Sequence, residues 1–289
     1  MDTDSDNESH SSAEVLDDGL DETTCEPSRK RRATGASVKQ GRSIPRAQKR
    51  KVDRAAGRVC LIERVSPANV LDYCHVMGME EPDDVLDCLE YFWGMPRYTL
   101  NLHTRCNICI LGPRLHYLFD NQGLLFLPTL EILKQYREHD IHTPLPYKPD
   151  DPGAETRKFE YSMLVPPSMK SVAIFRRKDE DSKSTNAKDF EIYPFPYEKF
   201  PVIESHLLPH FVIYNAGKRL SQMDEKYKQF IAANAHIDQV EQRADATLLA
   251  FYRWTRHHQL SPEWLLKTPP PARKPPSHSS WAPTEPPRQ

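Results

Sequence analysis

No apolar run in this sequence approaches the roughly 20 residues needed to cross a bilayer, so no membrane partner is expected. The opening MDTDSDNESH lacks the basic-then-apolar order of a secretory signal. The expectation is a soluble intracellular protein, whose six cysteines, Cys25, Cys60, Cys74, Cys88, Cys106 and Cys109, are reduced thiols. Hydrophobic residues make up only 38% and prolines number 26, too little core material and too many breakers for the whole chain to fold. No repeat of fixed period is present, which removes solenoid and propeller architectures. Cys106 and Cys109 form a CxxC pair with no second pair to match it, so packing cysteines are favoured over a structural zinc site.

The first 24 residues lack any Lys or Arg and carry nine Asp or Glu; Arg29 to Arg54 then carries eleven Lys or Arg against the single acid Asp53. Two clusters stand out, Arg29-Lys30-Arg31-Arg32 and Lys49-Arg50-Lys51, separated by a stretch of Gly, Ser, Ala and Pro that cannot build a core. This layout suits a bipartite nuclear import signal, hence a location in the nucleus and otherwise the cytoplasm. It equally suits a flexible arm that docks on nucleic-acid phosphates by releasing counterions.

These shifts divide the chain. Residues 1–57 read as a disordered acidic then basic arm, with order starting near Arg58 at the apolar run Val59-Cys60-Leu61-Ile62. Residues 58–138 read as the chemistry-bearing domain. They hold a strand in residues 69–77, a helix from Pro82 to Trp93, a short buried strand from Asn107 to Leu111, and a helix opened by Gly112-Pro113. A strand at 124–127 and a helix capped by Thr129 and ending near Glu138 follow. Residues 139–221 read as a small α+β extension whose strands at 159–165, 171–176 and 190–194 form one sheet. Residues 222–267 read as a helical block with an apolar stripe that needs a partner surface, and 268–289, with eight prolines, as a disordered tail suited to a proline-binding partner.

Phosphodiester hydrolysis at neutral pH needs a base for water, a cation to offset phosphate charge, and a residue to hold both in register. His75 follows the first strand and has the side chain suited to accept a proton near pH 7. His116 and Asp120 in RLHYLFD lie four apart, on one helix face, and imidazole with carboxylate suits a divalent cation. Asn107 opens the second strand with an amide that both donates and accepts, and so can tie the loop bearing the base to the hairpin. His206 and His210 also have i, i+4 spacing, but Pro209 argues against one helix spanning both, and a structural role is favoured. His257-His258 reads as a helix C-cap.

The succession VLDYCHVM, RCNICIL and LHYLFD resembles the HNH endonuclease domain, in the long-insert form found in fungal HNH-domain proteins. The resemblance covers residues 58–138 and extends to about residue 220. It implies an α+β fold with a ββα-metal core, added helices and a small antiparallel sheet. It also implies one divalent ion (Mg2+, Mn2+ or Zn2+), with His75 as base, Asn107 as positioning residue, and His116 and Asp120 as metal ligands. DNA is the implied substrate. Many members place a ligand immediately before the catalytic histidine, where this chain has Cys74. Either a thiophilic ion such as zinc uses Cys74, or the ion does without it, or the domain binds nucleic acid or protein without cleaving; Asp72 is a further candidate ligand.

Overall fold

A computed structural model of the chain describes residues 44–66, 70–121, 123–140, 143–149, 151–179, 186–256 and 260–266. The acidic N-terminal stretch, the cluster Arg29 to Arg32, His257-His258 and the proline-rich tail lie outside them.

Helices and short antiparallel sheets interleave in an α+β arrangement. The first part runs α1 (Arg46–Ala56), β1 (Asp72–His75), α2 (Asp83–Phe92), a tight turn at Arg105–Asn107, β2 (Ile108–Leu111) and α3 (Pro113–Asn121). Pro82 precedes α2, and Asp83 and Asp84 favour its positive end. Pro113 opens α3, where its missing N–H costs nothing. β1 and β2 pair antiparallel, Cys74 opposite Cys109 and His75 opposite Ile108.

Both faces of that pair are covered, which is why all four residues of β2 are buried. Cys74, Cys109 and Leu111 join the main core with Leu115 and Phe119 of α3. On the other face Ile108 and Ile110 meet Val52 of α1. Here the structure corrects the expectation that order begins near Arg58 and that Lys49 to Lys51 belong to a flexible arm. The apolar side of this strongly hydrophilic helix is small, with Val52 its one large apolar residue among the cations. Val52, fully buried, contributes about 2 kcal/mol by covering the outer face of the hairpin.

The second part adds β3 (Leu125–Pro128), α4 (Leu130–Glu138), β4 (Phe159–Leu164), β5 (Ile174–Arg177), β6 (Phe190–Tyr193) and β7 (Ile203–Ser205). Helices α5 (Pro209–Leu220), α6 (Lys226–Ala233), α7 (Val240–Trp254) and α8 (Pro262–Leu265) complete it. The hydroxyl of Thr129 caps α4, as expected. The three expected strands do not form one sheet: β4 lies between β3 and β7, while β5 and β6 make a separate hairpin. Two elements have no periodic signal in the sequence. β7 is three residues long, and α5 is buried almost all round, so no polar face sets it off. The expected helical block is broken between α6 and α7. There the buried Asn234 amide accepts from the backbone N–H of Val165 and donates to its carbonyl, both at 2.9 Å.

The boundaries at 138 and 221 do not separate packing units. One apolar core runs from Cys60 to Trp254, and β3 shares its sheet with β4 and β7. The stripe of α7 finds its partner there: Trp254 meets Trp93 edge-on at 5.6 Å, and α7 crosses α5 so closely that Gly217 touches Phe251. Among the described residues no helix is long and apolar enough to cross a membrane.

His206 and His210 prove to be scaffold groups. Pro209 starts α5 between them. His206 Nε2 donates to the carbonyls of Arg105 at 3.0 Å and Ile108 at 3.1 Å, bracketing Asn107. Burial, then the Arg105 charge, lowers its pKa to about 4. The His210 ring meets Trp93 edge-on with centroids 4.6 Å apart, and burial lowers its pKa to about 3.

Two tests follow from this packing. A Cβ at Gly217 would lie 2.3 Å from Phe251 Cβ, so Gly217→Ala should lower the unfolding free energy by at least about 2 kcal/mol in urea titrations; an unchanged midpoint contradicts the close crossing. The two histidines are neutral when folded, and the unfolded chain takes up their protons first. The stability they permit is whole above pH ~6.5 and falls as pH drops toward 4, by up to about 1.4 kcal/mol per pH unit for each. The urea midpoint should therefore be lower at pH 5 than at pH 7, and His206→Gln, which keeps a donor for both carbonyls, should shrink that difference. An undiminished difference in the variant would show that His206 is not its source.

Candidate functional site

Asn107 ends the tight turn before β2, and its side chain is wholly buried. Its Oδ1 accepts from the Met77 N–H at 2.8 Å, while its Nδ2 donates to the carbonyls of Met77 and Leu102, each at 3.0 Å. The Val76 N–H bonds the Asn107 carbonyl at 2.8 Å. One residue therefore ties the loop leaving His75 to the loop entering β2.

His75 closes β1 and is half-buried. Its Nε2 lies 3.3 Å from His103 Nδ1, and the rings meet edge-on with centroids 5.1 Å apart. Burial first, and His103 second, lowers its pKa to about 4. Near pH 7 the ring is neutral and holds a lone pair that can accept a proton. Sequence reasoning missed His103. The available signal was a second imidazole in LHTRCN, four residues before Asn107, on the segment that must fold back beside His75.

A second cluster stands on α3. His116 Nδ1 lies 3.2 Å from Asp72 Oδ2 of β1, and its Nε2 lies 3.0 Å from Asp120 Oδ2 one helical turn on. All three side chains reach solvent, at 30%, 45% and 49% exposure respectively, so the contacts lie at the surface rather than in a buried cage. Asp72 thus joins the expected pair His116 and Asp120.

The structure does not join the two clusters by a direct bond. His75 contacts His103, whereas His116 contacts Asp72 and Asp120. Strand alternation explains the separation: three residues apart on β1, Asp72 faces α3 with Cys74, and His75 falls on the face where Tyr73 meets α1.

Cys74, considered as a ligand, sits in the core. Its thiol is buried, shares the core with Cys109, and bonds the Asp72 carbonyl at 3.5 Å. Burial, Cys109 and the neighbouring Asp120 and Asp72 carboxylates all push its pKa up. The remaining donors, two carboxylates and one imidazole, suit a divalent cation by type. The two carboxylates stand one at each ring nitrogen of His116. Among the described residues no three such groups converge on one point, so a cation would have to displace at least one carboxylate from the ring.

Of the cations expected to meet nucleic acid, Arg50 is exposed on α1, Lys51 is partly exposed, and Lys49 lies over the Tyr73 ring at 5.0 Å. Arg29, Lys30, Arg31 and Arg32 are outside the described residues.

Replacing Asn107 should show its weight. Asn107→Ala removes three buried hydrogen bonds and strands backbone groups of Met77 and Leu102, at a cost of about 3 kcal/mol in unfolding free energy. Asn107→Asp loses both donor bonds and should cost at least as much; parent-like urea midpoints for both variants would contradict the clamp.

Comparison of the chain with protein-family models, with curated proteins and with solved structures finds no match.

Proposed function

We propose that this chain is an HNH-type, metal-dependent endonuclease that hydrolyses phosphodiester bonds in nucleic acid, DNA foremost. The observation that carries the proposal is the Asn107 clamp on Met77. It matches the task that the HNH resemblance gives this residue, within the order β1 ending in His75, β2 preceded by Asn107, and α3 bearing His116. The proposal assigns the HNH core to residues of β1, β2 and α3.

In this scheme the neutral His75 ring takes a proton from the attacking water and Asn107 fixes the loop that aims it. His103 borders the base and restricts its ring. Asp72, His116 and Asp120 are the residues that would hold a divalent ion. When bound, such an ion supplies charge compensation for the phosphate. With the Cys74 thiol buried, the donor set is two oxygens and one nitrogen, which favours Mg2+ or Mn2+ over a thiolate-bound Zn2+. Nuclear residence is proposed on the basic clusters alone.

A second proposal keeps the same core as a nucleic-acid or protein docking module that does not cleave. The buried Cys74 and the separation of His75 from His116 favour it.

Plasmid nicking separates the two. Purified protein with Mg2+, Mn2+ or Zn2+ should convert supercoiled to relaxed plasmid, and His75→Ala should reduce the rate at least about 100-fold. No nicking in any metal selects the docking module, and equal nicking by parent and variant assigns the activity to a contaminant.

A further inference from the structure

Two imidazoles meet at the end of β1, where a base needs only one. His75 Nε2 and His103 Nδ1 stand 3.3 Å apart, with ring centroids 5.1 Å apart. A hydrogen bond from a ring N–H is ordinarily shorter, and a head-on one of this length would hold the centroids ~5.6 Å apart, each nitrogen lying ~1.15 Å from its centroid. Two imidazoles aimed at one tetrahedral ion, each nitrogen ~2.05 Å from it, would instead hold nitrogens ~3.3 Å and centroids ~5.2 Å apart. Both observed separations match the second arrangement.

The pair is also held in place. His75 lies opposite Ile108 in the hairpin, and the His103 N–H donates to Asn101 Oδ1 at 2.9 Å. The Asn107 amide fixes the chain after His75 at Met77 and the chain before His103 at Leu102. Both residues are partly exposed, so an ion can reach them from solvent. Burial lowers the pKa of each, and near pH 7 both are neutral rings with lone pairs to offer. Imidazole nitrogen suits zinc and other late first-row cations, whereas magnesium and manganese prefer carboxylate oxygen. The two imidazoles and the cluster of Asp72, His116 and Asp120 therefore select different ions.

We propose that His75 and His103 form a two-imidazole binding site for Zn2+, separate from the carboxylate cluster on α3. Among the described residues no third His, Cys, Asp or Glu completes a metal-binding group with them, so water fills the remaining positions and the ion is exchangeable. Zinc at the pair takes the Nε2 lone pair of His75, and proton acceptance through that nitrogen is then excluded. In the nuclease reading, on which this consequence alone rests, zinc there is a brake on the base.

The test follows the histidine ring signals of the metal-free full chain by NMR as Zn2+ is added, with Mg2+ as the comparison ion. The His75 and His103 signals should shift together with a shared midpoint, and Mg2+ should not reproduce the shift of His103. His103→Gln should raise the zinc concentration that shifts His75 at least about tenfold, since losing an outer-shell group alone costs a metal site about that much. His75→Gln should do the same to His103; each variant reports without the other, and the parent titration stands without either. Asp72→Asn/Asp120→Asn, which removes the carboxylates of the other cluster, should leave the shared midpoint within about twofold. Separate midpoints for the two rings, a zinc shift confined to His116, a His75 shift unmoved by His103→Gln, loss of the paired shift in the Asp72 and Asp120 variant, or no shift at all would each overturn the proposal. Nicking is not read here, so a docking module that binds zinc at the pair and a nuclease that does not are told apart.

Discussion

A primary amide sealed from water must find its own partners, and Asn107 finds all of them in the two loops that flank the hairpin. Each bond is modest. Together they determine where the chain goes after His75 and before β2, and hence which way the His75 ring points. Neighbouring groups depend on the same node: His206 reaches the carbonyls on either side of Asn107, and Leu208 donates its N–H to the Cys106 carbonyl. The start of α5 is thereby fastened to the turn that carries the amide. The rest of the core then closes over α5, through α7 and the Trp93 and Trp254 contact.

A hairpin buried on both faces has a chemical consequence. Its inner face belongs to the core and α3, its outer face to α1, and alternation along β1 delivers Asp72 and Cys74 to one and Tyr73 and His75 to the other. The acid-lined imidazole of His116 and the imidazole pair of His75 and His103 are thus built from one strand without touching. A phosphodiester held between them would have to approach the open end of the hairpin. The proposed endonuclease requires that approach; the proposed docking module does not.

The sequence revealed more of the site than of its surroundings. Gly112-Pro113, the apolar run of β2 and the i, i+4 spacing of His116 and Asp120 are local features, and they placed the strand and helix within a residue or two. The role of Asn107 followed from the chemistry of an amide at a strand start. Other features depend on long-range packing and left no local trace. α1 folds on Val52 only because Ile108 and Ile110 lie some 56 residues away in sequence (108 minus 52). α5 has no polar face, and β7 is too short to alternate. The burial of Cys74 is legible only once Cys109 is known to stand opposite it. His103 enters because a long insert folds back beside His75, for which the second imidazole in LHTRCN was the one local signal.

The central proposal is that the carboxylates around His116 and the proposed base His75 serve one cation-dependent site despite their separate faces. Paramagnetic broadening of the histidine ring signals by Mn2+ addresses it directly. The account predicts that Mn2+ broadens the His116 and His75 resonances at low occupancy, leaves buried His210 sharp by comparison, and loses this effect in Asp72→Asn/Asp120→Asn. Resonances of His75 and His116 that broaden no more than those of other histidines, or a pattern that persists in the double variant, would contradict it.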